Sequence, residues 1–378
     1  MAALIKHKKV ELTELFYDLV FVYGISKETA LIHHVHGGIV PFASFWAFAI
    51  GMVIMINSWM VQTVFTNRFG KNSLTNILFM FAQMSMLLIS LTSVTGNFTH
   101  RNFLYFYGPF AVISFLLLLQ YVTEYFKTDN PADKALIVRF FYILSSRSLG
   151  LLLALFLPYR LGLIVAAVSV IATWILPGIL ANNKTEVINE RVTPVSFPHL
   201  AERLSLLVII TFGEMIIGIA DYFAPDHLSL SSFLIFMIVA SLFMVYIVEI
   251  DHMLDLETQE YAVNSLIYWH YPIFFGLSFV TVSLGFLEHQ EAQNRFAVCL
   301  IYLGIFLLLL GIYGIQKFNK TSHSFTRSLM IALLGVLAAG FLLSWLMTAD
   351  SQLLIVILFT VSLVLAALLV RFNLSRQA

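Results

Sequence analysis

Charge is scarce in this chain. Asp, Glu, Lys and Arg make up only 11% of its 378 residues, against about 25% in soluble domains. A water-facing surface cannot be built from so little. The formal net charge is zero, so no nucleic-acid or other strongly charged partner is expected. Cysteine occurs once, as Cys299, which excludes an intrachain disulfide and a cysteine-based metal centre. The sequence has no HExxH, no Walker glycine loop and no GxSxG elbow, so no catalytic residue, cofactor or metal site is expected and the chain does not read as an enzyme. A cleavable leader is not expected either, because Lys6, Lys8 and Lys9 run straight into acids with no small-residue cleavage site after them.

What is abundant is apolar residue: 60% hydrophobic, with a mean hydropathy of +0.90. A membrane-crossing helix needs about 20 mostly apolar residues. Twelve stretches qualify, near 12–32, 41–64, 73–94, 103–124, 136–156, 161–181, 200–220, 230–250, 263–286, 295–316, 328–347 and 352–371. The expected fold is therefore an all-α polytopic membrane protein with twelve transmembrane helices. Residues 1–181 form a first six-helix half, 182–198 a polar cytoplasmic connector and 199–378 a second half. The lipid bilayer is the partner that composition demands. Twelve spans also leave room for a homodimer, although no decisive dimer motif is present.

Basic residues test this count. If the N-terminus is cytoplasmic, fourteen of the 21 Lys and Arg fall inside, three (Arg101, Arg160, Arg295) fall outside and four (Lys27, Arg139, Arg147, Arg203) fall within spans. Such a bias is expected of a chain with both termini in the cytoplasm. The halves also echo each other. "LTELF" at Leu12 and "LAERL" at Leu200 lie 188 residues apart, as do "SFWAFAI" at Ser44 and "SFLIFMI" at Ser232. An equal offset in two successive helices suggests a six-plus-six repeat, parallel because each half has an even number of spans.

The few charges inside the spans are then the informative residues, since ionisable groups at that depth are costly and face protein or water. Glu11, Glu14 and Asp18 are spaced three and four apart, which places them on one face of the first helix. The seventh span carries Glu202, Arg203 and Glu214, and Glu202 matches Glu14 by the repeat offset. The fifth carries Arg139 and Arg147. At ~1.5 Å per residue, Asp18 and Arg139 come out ~5–9 Å deep, and Arg147 and Glu214 ~17–21 Å deep. Depth thus predicts two layers, Asp18 or Glu14 with Arg139, and Glu214 with Arg147. Gln83 and His270 are the polar groups most central to their spans, and a hydrogen-bonded interior histidine is the plain reading of His270. "HHVH" (His33–His36) lacks a carboxylate or cysteine beside it and reads as an exposed loop rather than a zinc site. Glu249, Asp251, Asp255, Glu257 and Glu260 read as a solvated cytoplasmic edge.

Three blocks carry a family likeness: "ELFYDLVFVYGIS" in the first helix, "NRFG" after the second and "HLAERLSLLVIITFGEMI" in the seventh. Together they resemble the bacterial low temperature requirement protein A (LtrA) family, over most of the chain. The resemblance implies a bacterial inner-membrane protein linked to growth in the cold, and supplies no molecular activity. Its motif residues fall here on Glu14, Asp18, Asn67, Arg68, His199, Glu202, Arg203, Gly213 and Glu214, with Asn67, Arg68 and His199 at the cytoplasmic side. Met215 stands where many members carry a small polar residue.

The charges favour a secondary transporter or channel for a small solute or ion. Its pathway would be lined by Glu14, Asp18, Arg139, Arg147, Glu202, Arg203, Glu214, Gln83 and His270. A membrane sensor or assembly factor is the alternative, and an intramembrane enzyme acting on lipid is the third reading.

Overall fold

A computed structural model describes residues 8–94, 100–179, 192–226, 228–257, 264–289 and 292–377. Most of the expected connector lies outside these residues. Among them are twelve α-helices of 18 residues or more and no β-strand. They are α1 (Leu12–Thr29), α2 (Phe42–Phe69), α3 (Leu74–Leu91), α4 (His100–Lys127), α5 (Pro131–Leu155), α6 (Tyr159–Ile179), α7 (Phe197–Gly218), α8 (Leu230–Ile247), α9 (Asn264–His289), α10 (Asn294–Ile315), α11 (Arg327–Leu346) and α12 (Ser351–Gln377). Ten are long and apolar enough to cross a membrane. The other two, α1 and α7, are the helices that carry Glu14, Asp18, Lys27 and Glu28, and Glu202, Arg203 and Glu214.

Local sequence explains several helix starts. The Ser73 side chain accepts from the Asn76 amide ahead of α3, and Asn130 accepts from the Ala132 amide with Pro131 in the first turn of α5. Thr326 does the same for α11 through Leu329. Each side chain satisfies an amide that the first helical turn leaves open, and a proline in the first turn removes another. The end of α8 departs from α geometry: Val248–Met253 form a π turn.

The described residues of Met1–Leu31 and Ala43–Arg203 form one compact unit, and those of Ile32–Phe42 and Leu204–Ala378 a second. The division falls inside α7, so the first turns of that helix belong to the first unit. In the first unit α2 is central. Every residue from Ile54 to Asn67 is buried, as expected for a helix with protein on all sides. In turn α3, α4, α5 and α6 pack in sequence order, and α1 packs on α3. One end of the unit collects the start of α1, the end of α2, the Lys71–Glu124 ion pair and the start of α5. Successive helices therefore alternate in direction.

The second unit follows the same rule. The ends of α8 and α10 meet through the Leu254–Asn319 bridge, and the start of α11 meets the end of α12 through Phe325 and Phe372. At the opposite end, Asn294 donates to the Thr348 carbonyl. Here α9 and α10 approach most closely. A Cβ on Gly276 would lie 2.5 Å from the Gly304 carbonyl oxygen, and one on Gly304 would lie 2.7 Å from that of Gly276. Glycine at both places is what lets the backbones touch. Large apolar side chains on α5, α6 and α11, such as Leu149, Leu153, Ile164, Val168, Ile331 and Leu342, point outward and exposed, the pattern of a surface solvated by lipid tails.

Candidate functional site

Four buried ionisable groups of the first unit, Glu14, Asp18, His199 and Arg203, converge where α1, the end of α2 and the start of α7 meet. Asp18 and Arg203 are both 0% exposed and form an ion pair. Arg203 Nη2 donates to Asp18 Oδ1, and Nε donates to Oδ2 at 3.3 Å, a two-pronged grip on the carboxylate. The Trp59 indole donates to Asp18 Oδ1 at 2.6 Å. Its ring also lies 5.3 Å beneath the Arg203 guanidinium, a cation–π contact. The remaining arm, Arg203 Nη1, donates to Thr66 Oγ1 at 2.9 Å. Both Asp18 oxygens and all three guanidinium nitrogens are therefore used, which is what burial of two charges requires.

One turn nearer the helix starts, His199 Nε2 lies 2.8 Å from Glu14 Oε2. Asn67 fixes the state of this histidine. The Ser196 amide donates to Asn67 Oδ1 at 2.8 Å, so the other end of the Asn67 side chain is its NH2. That NH2 donates to the Ser196 carbonyl at 2.9 Å and to His199 Nδ1 at 3.2 Å. Nδ1 is thereby an acceptor, and the ring proton sits on Nε2, donating to the Glu14 carboxylate.

The two contacts share a register. Glu14 to His199 and Asp18 to Arg203 are both 185 residues apart, and within each helix the pairs are four residues apart. The first turns of α1 and α7 thus run side by side in the same direction, joined by two rungs ~6 Å apart.

A collar of polar contacts holds the rungs in place. Lys8, ahead of α1, donates to the carbonyls of Thr66, Asn67 and Gly70, closing the open end of α2. Burial pulls the Lys8 pKa below its ordinary value, an effect that nearby Glu14 partly offsets. Arg68 donates to the Thr193 carbonyl, and Asp133 accepts from the Thr193 amide and hydroxyl, both at 2.8 Å. The start of α7 is thus fastened to α2 and α5. Beside Asp18, the Tyr17 hydroxyl donates to Gln83 Oε1 at 3.0 Å, and Gln83 Nε2 donates to Gln62 at 2.9 Å and to Gln120 at 3.4 Å.

The layers predicted from depth are not the ones formed. Asp18 takes Arg203 and Glu14 takes His199, while Arg139 lies half-buried on α5. Depth gives one coordinate of a side chain and says nothing of direction, and α5 packs on α4 and α6. Arg147, fully buried, donates to Ser58 Oγ on α2, whereas Glu214 is half-buried in the second unit. Glu202 is half-buried, one residue off the paired face of α7. His270 is held inside the second unit, with Nδ1 donating to the Leu266 carbonyl at 2.7 Å and Nε2 accepting from the Tyr246 hydroxyl at 3.0 Å. Asn67 and His199, read as cytoplasmic motif residues, are in contact with each other, and both are buried.

Sequence reading missed several members. Lys8 and Trp59 carry no signal of their own. Glu28, near the far end of α1, is 1% exposed and lies over Gly51, where a Cβ would sit 2.3 Å from its carboxylate. Glu249 is not part of a solvated edge: the π turn carries it inside, while Asp251 and Glu257 remain exposed and Asp255 half-buried. Glu260 lies outside the described residues. A usable signal for the rungs did exist, since Glu14-x3-Asp18 and His199-x3-Arg203 have complementary chemistry at equal spacing.

Two of the blocks that carry the family likeness, in the first and seventh helices, supply the two rungs. No curated protein sequence matches the chain. The pattern of the bacterial low temperature requirement A protein (LtrA) family matches residues 9–368, nearly the whole chain, and the chain belongs to that family.

Proposed function

We propose that this protein moves a small solute or ion across the bacterial cytoplasmic membrane, and that Glu14 and His199 form the element that responds to protons. The observation that carries this reading is the cluster itself. A chain with 11% charged residues gathers Glu14, Asp18, His199 and Arg203 in one buried place. Intramembrane ionisable groups commonly mark ion and proton pathways.

The two rungs divide the work. Asp18 and Arg203, with every arm occupied, act as a permanent latch between α1 and α7. The upper rung is weaker and adjustable. A proton taken by Glu14 turns its charge-assisted bond from His199 into a neutral one and removes the negative charge that faces Lys8 and Arg203. Because Asn67 pins His199 Nδ1 as an acceptor, the histidine cannot answer by shifting its own proton. The contact between α1 and α7 loosens at that end, and a gate for solute can be coupled to that change.

Twelve spans with both termini in the cytoplasm complete the proposal, supported by the fourteen-to-three bias of basic residues. A six-plus-six repeat is supported by helix order: α7 to α12 begin between 185 and 196 residues after α1 to α6. No chemical conversion of the solute is proposed.

Flux through purified protein in liposomes tests this reading. A pH gradient is imposed, and internal pH is followed with Na⁺, K⁺, Cl⁻ or bicarbonate present. Protein-dependent flux with at least one ion is expected. Folded wild-type protein that carries none of them would turn the reading toward a sensor or assembly factor.

A further inference from the structure

The second unit holds a buried acid that the proposed pathway does not use. Glu249 lies in the π turn at the end of α8 and is 0% exposed. Neither of its carboxylate oxygens makes a well-aligned hydrogen bond, and it has no salt-bridge partner among the described residues. The polar side chain that reaches it is that of Asn319. The Oδ1 and Nδ2 atoms of Asn319 likewise lack aligned partners.

The two side chains are held on fixed backbone. Leu254 and Asn319 form a β-bridge, the Asp255 amide donates to the Phe318 carbonyl at 2.9 Å, and the Lys320 amide donates to the Met253 carbonyl at 2.9 Å. These bonds dock the turn that bears Asn319 against the π turn that bears Glu249. The nearby Lys320 ammonium is engaged elsewhere, donating to the His252 carbonyl at 3.1 Å on the exposed side. π turns inside α-helices are often kept at functional sites.

We propose that Glu249 and Asn319 form a binding site for one monovalent alkali cation. A fully buried carboxylate whose one polar neighbour is a neutral carboxamide carries a large desolvation cost unless a positive charge meets it. With the Asn319 carboxamide turned so that its oxygen faces the acid, Glu249 Oε1 and Oε2 and Asn319 Oδ1 supply three hard oxygen ligands, and one carboxylate against one monovalent cation closes the charge. Calcium sites take six to eight oxygens, commonly from several carboxylates, magnesium demands near-octahedral geometry, and zinc prefers nitrogen and sulfur. None of these fits a lone carboxylate beside a carboxamide. The site is independent of the Glu14–His199 cluster, and its test reads binding rather than flux, so either proposal can fail alone.

The test uses the full chain in detergent at constant pH, with ionic strength held by choline chloride. Thermal unfolding is followed while Na⁺, K⁺ or Li⁺ replaces choline, and ²²Na⁺ binding is counted in parallel. A saturable rise in melting temperature with at least one alkali ion is expected, absent in Glu249→Gln and at least tenfold weaker in apparent affinity in Asn319→Ala. Glu249→Gln keeps the shape of the side chain and can pair with the Asn319 carboxamide. Asn319→Ala leaves the acid untouched and serves if the first variant does not fold. Wild-type protein that melts alike in all four cations, or variants that keep the wild-type response, would overturn the proposal, as would stabilisation by acid alone.

Discussion

At the scale of single residues, the decisive feature is how completely Asp18 and Arg203 satisfy each other. Removing one partner from a buried pair leaves a bare charge and typically costs ~3–5 kcal/mol. Asp18→Asn or Arg203→Gln alone is expected to lower the melting temperature of the detergent-solubilised protein sharply. The double variant is expected to lose less than the two single losses added together, which a double-mutant cycle by thermal unfolding measures. Equal and additive losses would mean that the pair is not coupled. The members of this cluster were legible in the sequence as charges too deep to be idle. Their pairing was not, because residue depth along a helix says nothing of azimuth. Asp18 was matched in depth to Arg139, yet Arg203, six residues into α7 as Asp18 is six into α1, is its partner. Lys8 shows a second limit. Its place is set by the open carbonyls at the end of α2, which no local pattern around Lys8 announces.

At the scale of elements, hydrophobic runs located twelve helices, ten of them long and apolar enough to cross a membrane. Close helix contact and helix irregularity were harder to read. The Gly276–Gly304 approach joins residues on α9 and α10, and glycine is common in membrane helices without such a role. Gly304→Ala would push a methyl group to 2.7 Å from a backbone carbonyl oxygen, so α9 and α10 must separate. A loss of ~1–3 kcal/mol is expected, seen as early melting, whereas Gly335→Ala on α11, where no atom lies within 4 Å, should be neutral. The π turn at Val248–Met253 was invisible to a reading based on 3.6 residues per turn. That is why Glu249 looked like part of a wet edge: one extra residue per turn changes which side chains face inward.

At the scale of the whole molecule, the proposed twelve-span topology puts the loops in turn on the two sides of the membrane. The single cysteine makes this testable. In a Cys299→Ser background, new cysteines replace Lys71 or Ser324 on the expected cytoplasmic side and Gly37 or Pro158 on the other. A membrane-impermeant thiol reagent applied to intact cells is expected to label Gly37→Cys and Pro158→Cys, and to label Lys71→Cys and Ser324→Cys only after the cells are opened. Any reversal would break the twelve-span topology. The division within α7 could not be read from apolar stretches, since a compact unit is defined by packing rather than by loops.

The central claim is that protons act through Glu14 and His199. Its most direct measurement compares solute or ion flux by wild-type protein and Glu14→Gln in the same liposomes, with and without an imposed pH gradient. The gradient is expected to drive uphill flux in the wild type. Glu14→Gln, its charge permanently removed, should retain at most downhill flux that no longer responds to the gradient. Folded Glu14→Gln protein whose flux still follows the pH gradient as the wild type does would contradict the claim.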